Sequence, residues 1–326
     1  LPEHLAHLGG EPLLELGAVG RPLQQAHQAG ESGDPVPVRD VGEVRLPEEG
    51  CRVTVVDSLL YRQESLLEYC ANPRFDFIYG DCRDETLMKE CAAKADVLIP
   101  LAAIVGFPAC RRDPNSATTI NFEAIRMLDG LRSPQQKMIY PTTNSGYGAT
   151  SGDLYCTEET PLNPISLYGT TKVDAEKLLL DGGAAITLRL ATVFGMSPRM
   201  RVDLLVNDFT WQAVTNGSII IFQKDFKRNY VHIRDVADCI TFCIAHYDEM
   251  KGEPFNVGLN EANLSKEELA QAIKKHVPNF YIHFAEIDSD PDKRNYIVSN
   301  DKINARAFHA ARTIDDGVQE MIKGYR

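Results

Sequence analysis

Tyr168 and Lys172 stand four residues apart in Tyr168-Gly-Thr-Thr-Lys172. On a helix, positions i and i+4 share a face, so the phenol and the ammonium are neighbours. A nearby positive charge favours phenolate and draws a tyrosine below its ordinary pKa of about 10. Tyr168 then serves as a general base near neutral pH, and Lys172 is also free to bind a ribose hydroxyl. The same spacing arises by chance on solvated helix faces, so it needs company. Upstream, directly after the apolar run KMIYP, the chain reads Thr142-Thr143-Asn144-Ser145-Gly146-Tyr147-Gly148. A hydroxyl there stands at the carboxyl end of a strand, able to hydrogen-bond a substrate oxygen beside the tyrosine. The alternative is a glycine-rich turn whose hydroxyls satisfy backbone groups.

The surrounding pattern predicts the elements that position these groups. Arg52–Asp57 (RVTVVD) is a β-branched run ending in an acid, which predicts a buried strand. Helix is expected over residues 64–71, strand over 75–79, helix over 85–94, strand over 96–103 and helix over 117–131. Strand at 137–140, helix at 167–180 and strand at 185–190 follow. This alternation predicts an α/β fold, a Rossmann-type doubly wound parallel sheet whose ligands bind outside the carboxyl ends of the strands. Beyond about residue 195 the alternation loosens, with helix expected over 202–216, strand over 218–222 and a strand running into a helix over 230–246. Ser265 and Glu268 form a capping box. We divide the chain into residues 51–195, a dinucleotide-binding domain to which the chain returns near 229–260, and 196–326, a smaller mixed substrate lobe.

The chain has 326 residues and a formal net charge of −12. That field repels polyanions and argues against nucleic acid and anionic membrane as partners. No stretch reaches the roughly 18 apolar residues of a membrane span, and the start lacks a signal-peptide pattern. The 8 cysteines are scattered without a CxxC pair, which reads as reduced thiols in a cytoplasmic protein with no metal site. Cys239 and Cys243 read as core thiols, and His232 as a packed residue rather than a base. Residues 1–50 differ from the rest: they contain no Ile, Phe, Tyr, Trp, Lys, Asn, Thr or Met, yet hold 8 of the 23 Gly and 6 of the 18 Pro.

With these residues in view, the chain over roughly 51–326 resembles the extended short-chain dehydrogenase/reductases that act on nucleotide sugars. Their signature is a Ser/Thr, a Tyr-Gly four residues on, and YxxxK some twenty residues later. Thr143, Tyr147-Gly148, Tyr168 and Lys172 match it. Asp57, Gly80-Asp81-Cys82-Arg83 and Leu101-Ala102-Ala103 match further motifs, and Arg228-Asn-Tyr-Val-His232 stands where the family has RDFVH. The wording of residues 143–148, 165–169, 189–210, 228–236 and 290–300 is most similar to GDP-heptose 4-dehydrogenase-like enzymes of surface-polysaccharide pathways.

The resemblance implies NAD as cofactor. Asp57 would take the adenosine ribose hydroxyls and repel a 2′-phosphate, with Asp81 and Cys82 near the adenine. Leu101, Ala102 and Ala103 would lie along the cofactor, with Tyr168 and Lys172 at its far end. It also implies that Thr143 and Tyr168 polarise and deprotonate a sugar C4 hydroxyl. Arg228 and Arg294 would clamp the substrate diphosphate, with Arg199 and Arg201 as weaker contributors. Asn144 and Ser145 would face the substrate, Asn121 would have a structural or cofactor-side role, and the protein would be a homodimer.

Two departures matter. Dehydratases of the family place a carboxylate pair directly after the catalytic Thr, whereas Asn144 and Ser145 cannot act as carboxylate acid and base. This leaves C4 oxidation alone or oxidation followed by epimerisation. The family's phosphate-binding TGxxGxxG turn should also begin near Gly33, where the chain reads Gly33-Asp-Pro-Val-Pro-Val-Arg39. Gly17-Ala-Val-Gly20 is a lone GxxG too far upstream. Residues 1–50 are therefore expected not to be the native first βα unit, as a misread frame or misassigned start would produce. The sheet would then lack its first strand and NAD would bind weakly. The contrasting expectation is a non-catalytic sugar-nucleotide-binding protein with a lost cofactor loop.

Overall fold

Near-continuous apolar runs become the strands of one sheet because both of its faces are covered. The structure is a computed structural model and describes residues 17–21, 50–62, 65–150, 154–285 and 294–326. The sheet strands are Gly17–Arg21 (β1), Arg52–Asp57 (β2), Phe75–Tyr79 (β3), Val97–Pro100 (β4), Lys137–Thr143 (β5), Ala185–Leu190 (β6) and Pro254–Val257 (β7). Their spatial order is β7-β6-β5-β4-β1-β2-β3, and every pair that excludes β1 is parallel. Val53, Val55 and Val56 of β2, all of β4, and Met138, Ile139 and Tyr140 of β5 are buried.

The centre of the sheet departs from expectation. Its first-strand slot is filled by β1, which runs antiparallel to both neighbours, with Gly17 level with Val56 and with Pro100. The carboxyl end of β1 at Arg21 lies level with Arg52, at the edge opposite the carboxyl ends of β2 and β4. The Gly17–Gly20 stretch is thus strand rather than a phosphate-binding turn. Residues 33–39, where that turn is expected, lie outside the described residues.

Other elements sharpen the sequence reading. The helix expected over 64–71 is, among the described residues, one 3-10 turn, Leu67–Tyr69. The helix expected over 117–131 is α at Pro114–Thr118, π at Thr119–Glu123 and α again at Ala124–Leu131. Asn121 sits in that π-bulge, accepts from Ile104 N (2.7 Å) and donates to Ile104 O (2.9 Å), pinning the strand-end segment that follows β4. The helix Leu167–Asp181 begins where Ser166 accepts from Gly169 N at 3.1 Å.

The C-terminal part has its own core, in which Phe194, Val206, Phe209, Leu269, Phe280, Val318 and Met321 meet. Thr192–Phe194, Lys227–His232 and Asn263–Ser265 form one small sheet, and Ser218–Phe222 pairs in parallel with Tyr281–Ala285. The Ser265–Glu268 capping box forms as read. Cys239 and Cys243 are buried in the core, and His232 is buried with Nδ1 capping the helix Ile233–Ala245. No helix among the described residues is long and apolar enough to cross a membrane.

Candidate active site

Strand β5 ends at Thr143, where the chain turns into a 3-10 segment, Asn144–Tyr147, closed by Gly148 at φ +72°. A Cβ on Gly148 would lie 2.1 Å from Asn163 O, so only glycine fits this approach. The turn is held from below by Tyr147, whose hydroxyl donates to Thr157 O (2.9 Å) or Asn256 Oδ1 (2.7 Å) and accepts from Arg189 Nη1 (3.0 Å). Arg189 is buried with Glu176, which it meets through Nε (2.9 Å) and Nη2 (2.6 Å).

Above this platform the site groups converge. Thr143 Oγ1 accepts from Ser145 N (3.1 Å) and donates to Ser145 Oγ (3.0 Å). Arg294 Nη1 donates to the same Ser145 Oγ. The Thr143 hydroxyl is also within hydrogen-bonding reach of the Tyr168 phenol. Burial raises the Tyr168 phenol above its ordinary pKa, while the charge of Arg201, the bond with Thr143 and the charge of Arg294 pull it back. This changes the expected electrostatics, because the cations acting on Tyr168 are two arginines of the C-terminal part.

Lys172 is directed elsewhere. It shares the helix face with Tyr168 but lies one turn deeper, 4 % exposed, with Nζ 4.0 Å from the ring centroid of Tyr140. Burial pushes its amine down to about 7, partly opposed by Glu176 one further turn along.

The other expected residues spread over two places. Asp57, at the carboxyl end of β2, is buried and accepts from Leu59 N at 2.6 Å. Burial raises its carboxyl pKa, while that bond and the charge of Arg199 lower it. Asp81 is bound bidentately by Arg83 (Nε–Oδ1 2.9 Å, Nη2–Oδ2 2.5 Å), which holds its carboxyl low. Ala102 is buried and packs with partly buried Cys82, Tyr61 and Tyr168. Ala103 is also buried, and Leu101 packs on the main core.

The second place is a cavity of about 900 Å³ in the C-terminal part, with Arg228 and Arg294 in its wall. Arg228 is itself buried, donates to Lys227 O at 2.9 Å and to Arg294 O, and so fixes the backbone that presents Arg294. Arg201 is tied to Asp203 (Nε–Oδ1 2.8 Å, Nη2–Oδ2 2.5 Å), a cavity-wall residue, and reaches Tyr168 by charge. Arg199 belongs with the first place: its guanidinium stacks 4.2 Å over the Tyr61 ring, beside Asp57 rather than among the cavity-lining arginines. Asn144 is buried, and neither amide atom has a hydrogen-bond partner among the described residues. Buried amides of this kind are completed by water or a ligand.

The sequence reading missed Glu176, Arg189, Tyr140 and Tyr61. Glu176 was detectable, since it follows Lys172 by four on the same helix. Nothing in the sequence marks Tyr140 or Tyr61, whose neighbours come from distant segments. For a dinucleotide, the polar groups suit both ribose ends, with an acceptor-only carboxylate at the end of β2 and the Thr143 and Tyr168 hydroxyls at the end of β5. The segment expected for its phosphates lies outside the described residues.

Comparison with known proteins agrees with this geometry. Residues 43–258 match the model of the NAD dependent epimerase/dehydratase family, and the chain belongs to that family. A dTDP-glucose 4,6-dehydratase of Actinoplanes sp. is 25% identical, over 87% of this chain and 91% of its own. A UDP-glucose 4-epimerase of Lactobacillus helveticus is 26% identical, over 71% of this chain and 76% of its own. Among solved structures, UDP-glucuronic acid 4-epimerase from Bacillus cereus, in complex with UDP-glucuronic acid and NAD, superposes with a TM-score of 0.74. It is 21% identical and covers 83% of this chain and 90% of its own.

Proposed function

We propose that the protein is an NAD-dependent oxidoreductase acting on C4 of a nucleotide-diphosphate sugar, similar in activity to a GDP-heptose 4-dehydrogenase. The observation that carries this reading is the meeting of the Tyr168 phenol with the Thr143 hydroxyl, within the field of Arg294, which bonds Ser145 and lines the large cavity. Arg294 and Arg228 would hold the diphosphate, placing the sugar over Thr143. Thr143 would bond the C4 oxygen, and Tyr168 as phenolate would take the C4 hydroxyl proton. NAD would be held by Asp57, Asp81, Cys82, Leu101, Ala102 and Ala103, with Tyr168 and Lys172 at its nicotinamide ribose. When bound it supplies the hydride acceptor for C4. Asn144 and Ser145 offer no carboxylate for water loss, which favours this chemistry over 4,6-dehydration.

A 4-epimerase uses the same groups, and the epimerase relatives favour it equally. The antiparallel β1 favours a third reading, a sugar-nucleotide-binding protein without turnover. Incubation with NAD and a panel of nucleotide sugars separates the three. The proposal expects a 4-keto sugar with stoichiometric NADH, lost in Tyr168→Phe. A C4 epimer without net NADH indicates the epimerase, and absence of NAD binding in a calorimetric titration overturns both enzyme readings.

A further inference from the structure

Arg199 and Arg201 stand two residues apart on the segment that joins the strand Thr192–Phe194 to the helix Leu205–Thr215, and they reach different places. Arg201 pairs with Asp203 in the wall of the large cavity. Arg199 crosses to the dinucleotide-binding part, where its guanidinium lies 4.2 Å over the Tyr61 ring and its charge acts on Asp57. The backbone that presents it is held on both sides. Met196 N donates to Glu320 Oε1 (2.7 Å), Ser197 Oγ to Arg199 O (2.8 Å), and Asn207 Nδ2 to Arg201 O (2.9 Å). Tyr61 in turn packs on the cluster that holds Ala102 and is shared by Tyr168. The cation therefore stands along the stretch from Asp57, at the end of β2, to the phenol on the helix Leu167–Asp181.

Resting on the placement of NAD given above, we propose that Arg199 binds the diphosphate of the dinucleotide. With its adenosine ribose on Asp57 and its nicotinamide ribose at Tyr168, NAD has to carry its diphosphate across the stretch between them, where Arg199 lies. In folds of this kind that group is met by the turn after the first strand, through backbone amides and a helix N-terminus. Here β1 runs the other way, and its carboxyl end lies at the edge opposite the carboxyl ends of β2 and β4. A turn following β1 therefore starts at the wrong edge of the sheet. The diphosphate also brings negative charge beside the Asp57 carboxylate, in a chain whose net charge is −12. A guanidinium supplies both the opposing charge and paired N–H donors for phosphate oxygens. Arg199 thus serves the cofactor, whereas the sequence reading placed it with the substrate diphosphate, which is left to Arg228 and Arg294.

Calorimetric titration of the full chain with NAD, NADP, adenosine, UDP and GDP, each alone and without turnover, tests this. Arg199→Met should weaken NAD at least tenfold while leaving adenosine, which has no phosphate, and UDP and GDP unchanged. Arg199→Lys keeps the charge without the planar fork and should recover part of the loss. Unchanged NAD affinity in Arg199→Met overturns the proposal and leaves the NAD placement standing. Weakening of UDP and GDP with NAD unchanged returns Arg199 to the substrate diphosphate. Parallel weakening of adenosine and NAD makes it a ribose contact, and loss confined to NADP puts it at a 2′-phosphate. Equal weakening of all five ligands makes it a structural strap between the two parts of the chain, and overturns the proposal as well. If the wild-type chain binds no NAD, the proposal falls together with the cofactor placement.

Discussion

Replacing Lys172 by Met should stabilise the protein at neutral pH while removing its activity. The amine has an ordinary pKa of 10.5 and stands at about 7 in the fold, because it is buried on the inner face of the Leu167–Asp181 helix. That difference corresponds to about 5 kcal/mol against carrying the buried group at pH 7. Methionine nearly conserves the volume and needs no hydration, but it forfeits the contact with the Tyr140 ring, which offsets up to about 2 kcal/mol. A net gain of about 2–3 kcal/mol at pH 7 remains. Because the folded protein binds this proton more weakly than the unfolded chain, wild-type stability rises with pH between about 7 and 10.5. The advantage of Lys172→Met should therefore be fully present below about pH 7 and fade towards pH 10.5. Urea unfolding of both proteins at pH 7, 8, 9 and 10 measures it. A variant no more stable at pH 7, or a difference that stays constant with pH, would refute the buried, weakly basic amine.

Three further outcomes follow from the same geometry. Glu176→Gln leaves the Arg189 guanidinium buried without its counter-charge, and should cost about 3–5 kcal/mol in urea unfolding. It should also lower the Lys172 pKa further, visible by NMR titration of the amine. Gly148→Ala forces a side chain at φ +72° into Asn163 O, so it should lower the thermal midpoint and abolish turnover together. Ser145→Ala cuts the bridge between Thr143 and Arg294. It should reduce kcat about tenfold with little change in the melting curve, and an unchanged kcat would show that the bridge does not position Thr143.

Much of the fold was legible in local sequence because local sequence sets it. The apolar runs at 52–57, 137–140 and 185–190 read as buried strands, and the helices between them require parallel pairing. The Ser265–Glu268 box was readable because both partners lie within one turn. Thr143, Tyr147-Gly148, Tyr168 and Lys172 were readable as a set because their spacing is local. Tertiary structure alone decided what those residues do to one another. Identical helical spacing would serve Lys172 whether it faced the phenol or the core, and packing against Tyr140 and Glu176 settled it. The cations beside Tyr168 come from positions 201 and 294, far along the chain, so no spacing rule could assign them. The direction of β1 likewise depends on the neighbours that leave a slot open, since backbone hydrogen bonds satisfy a central strand of either polarity. Periodicity and caps act over a few residues, whereas charge and burial act through space, where chain distance carries no information.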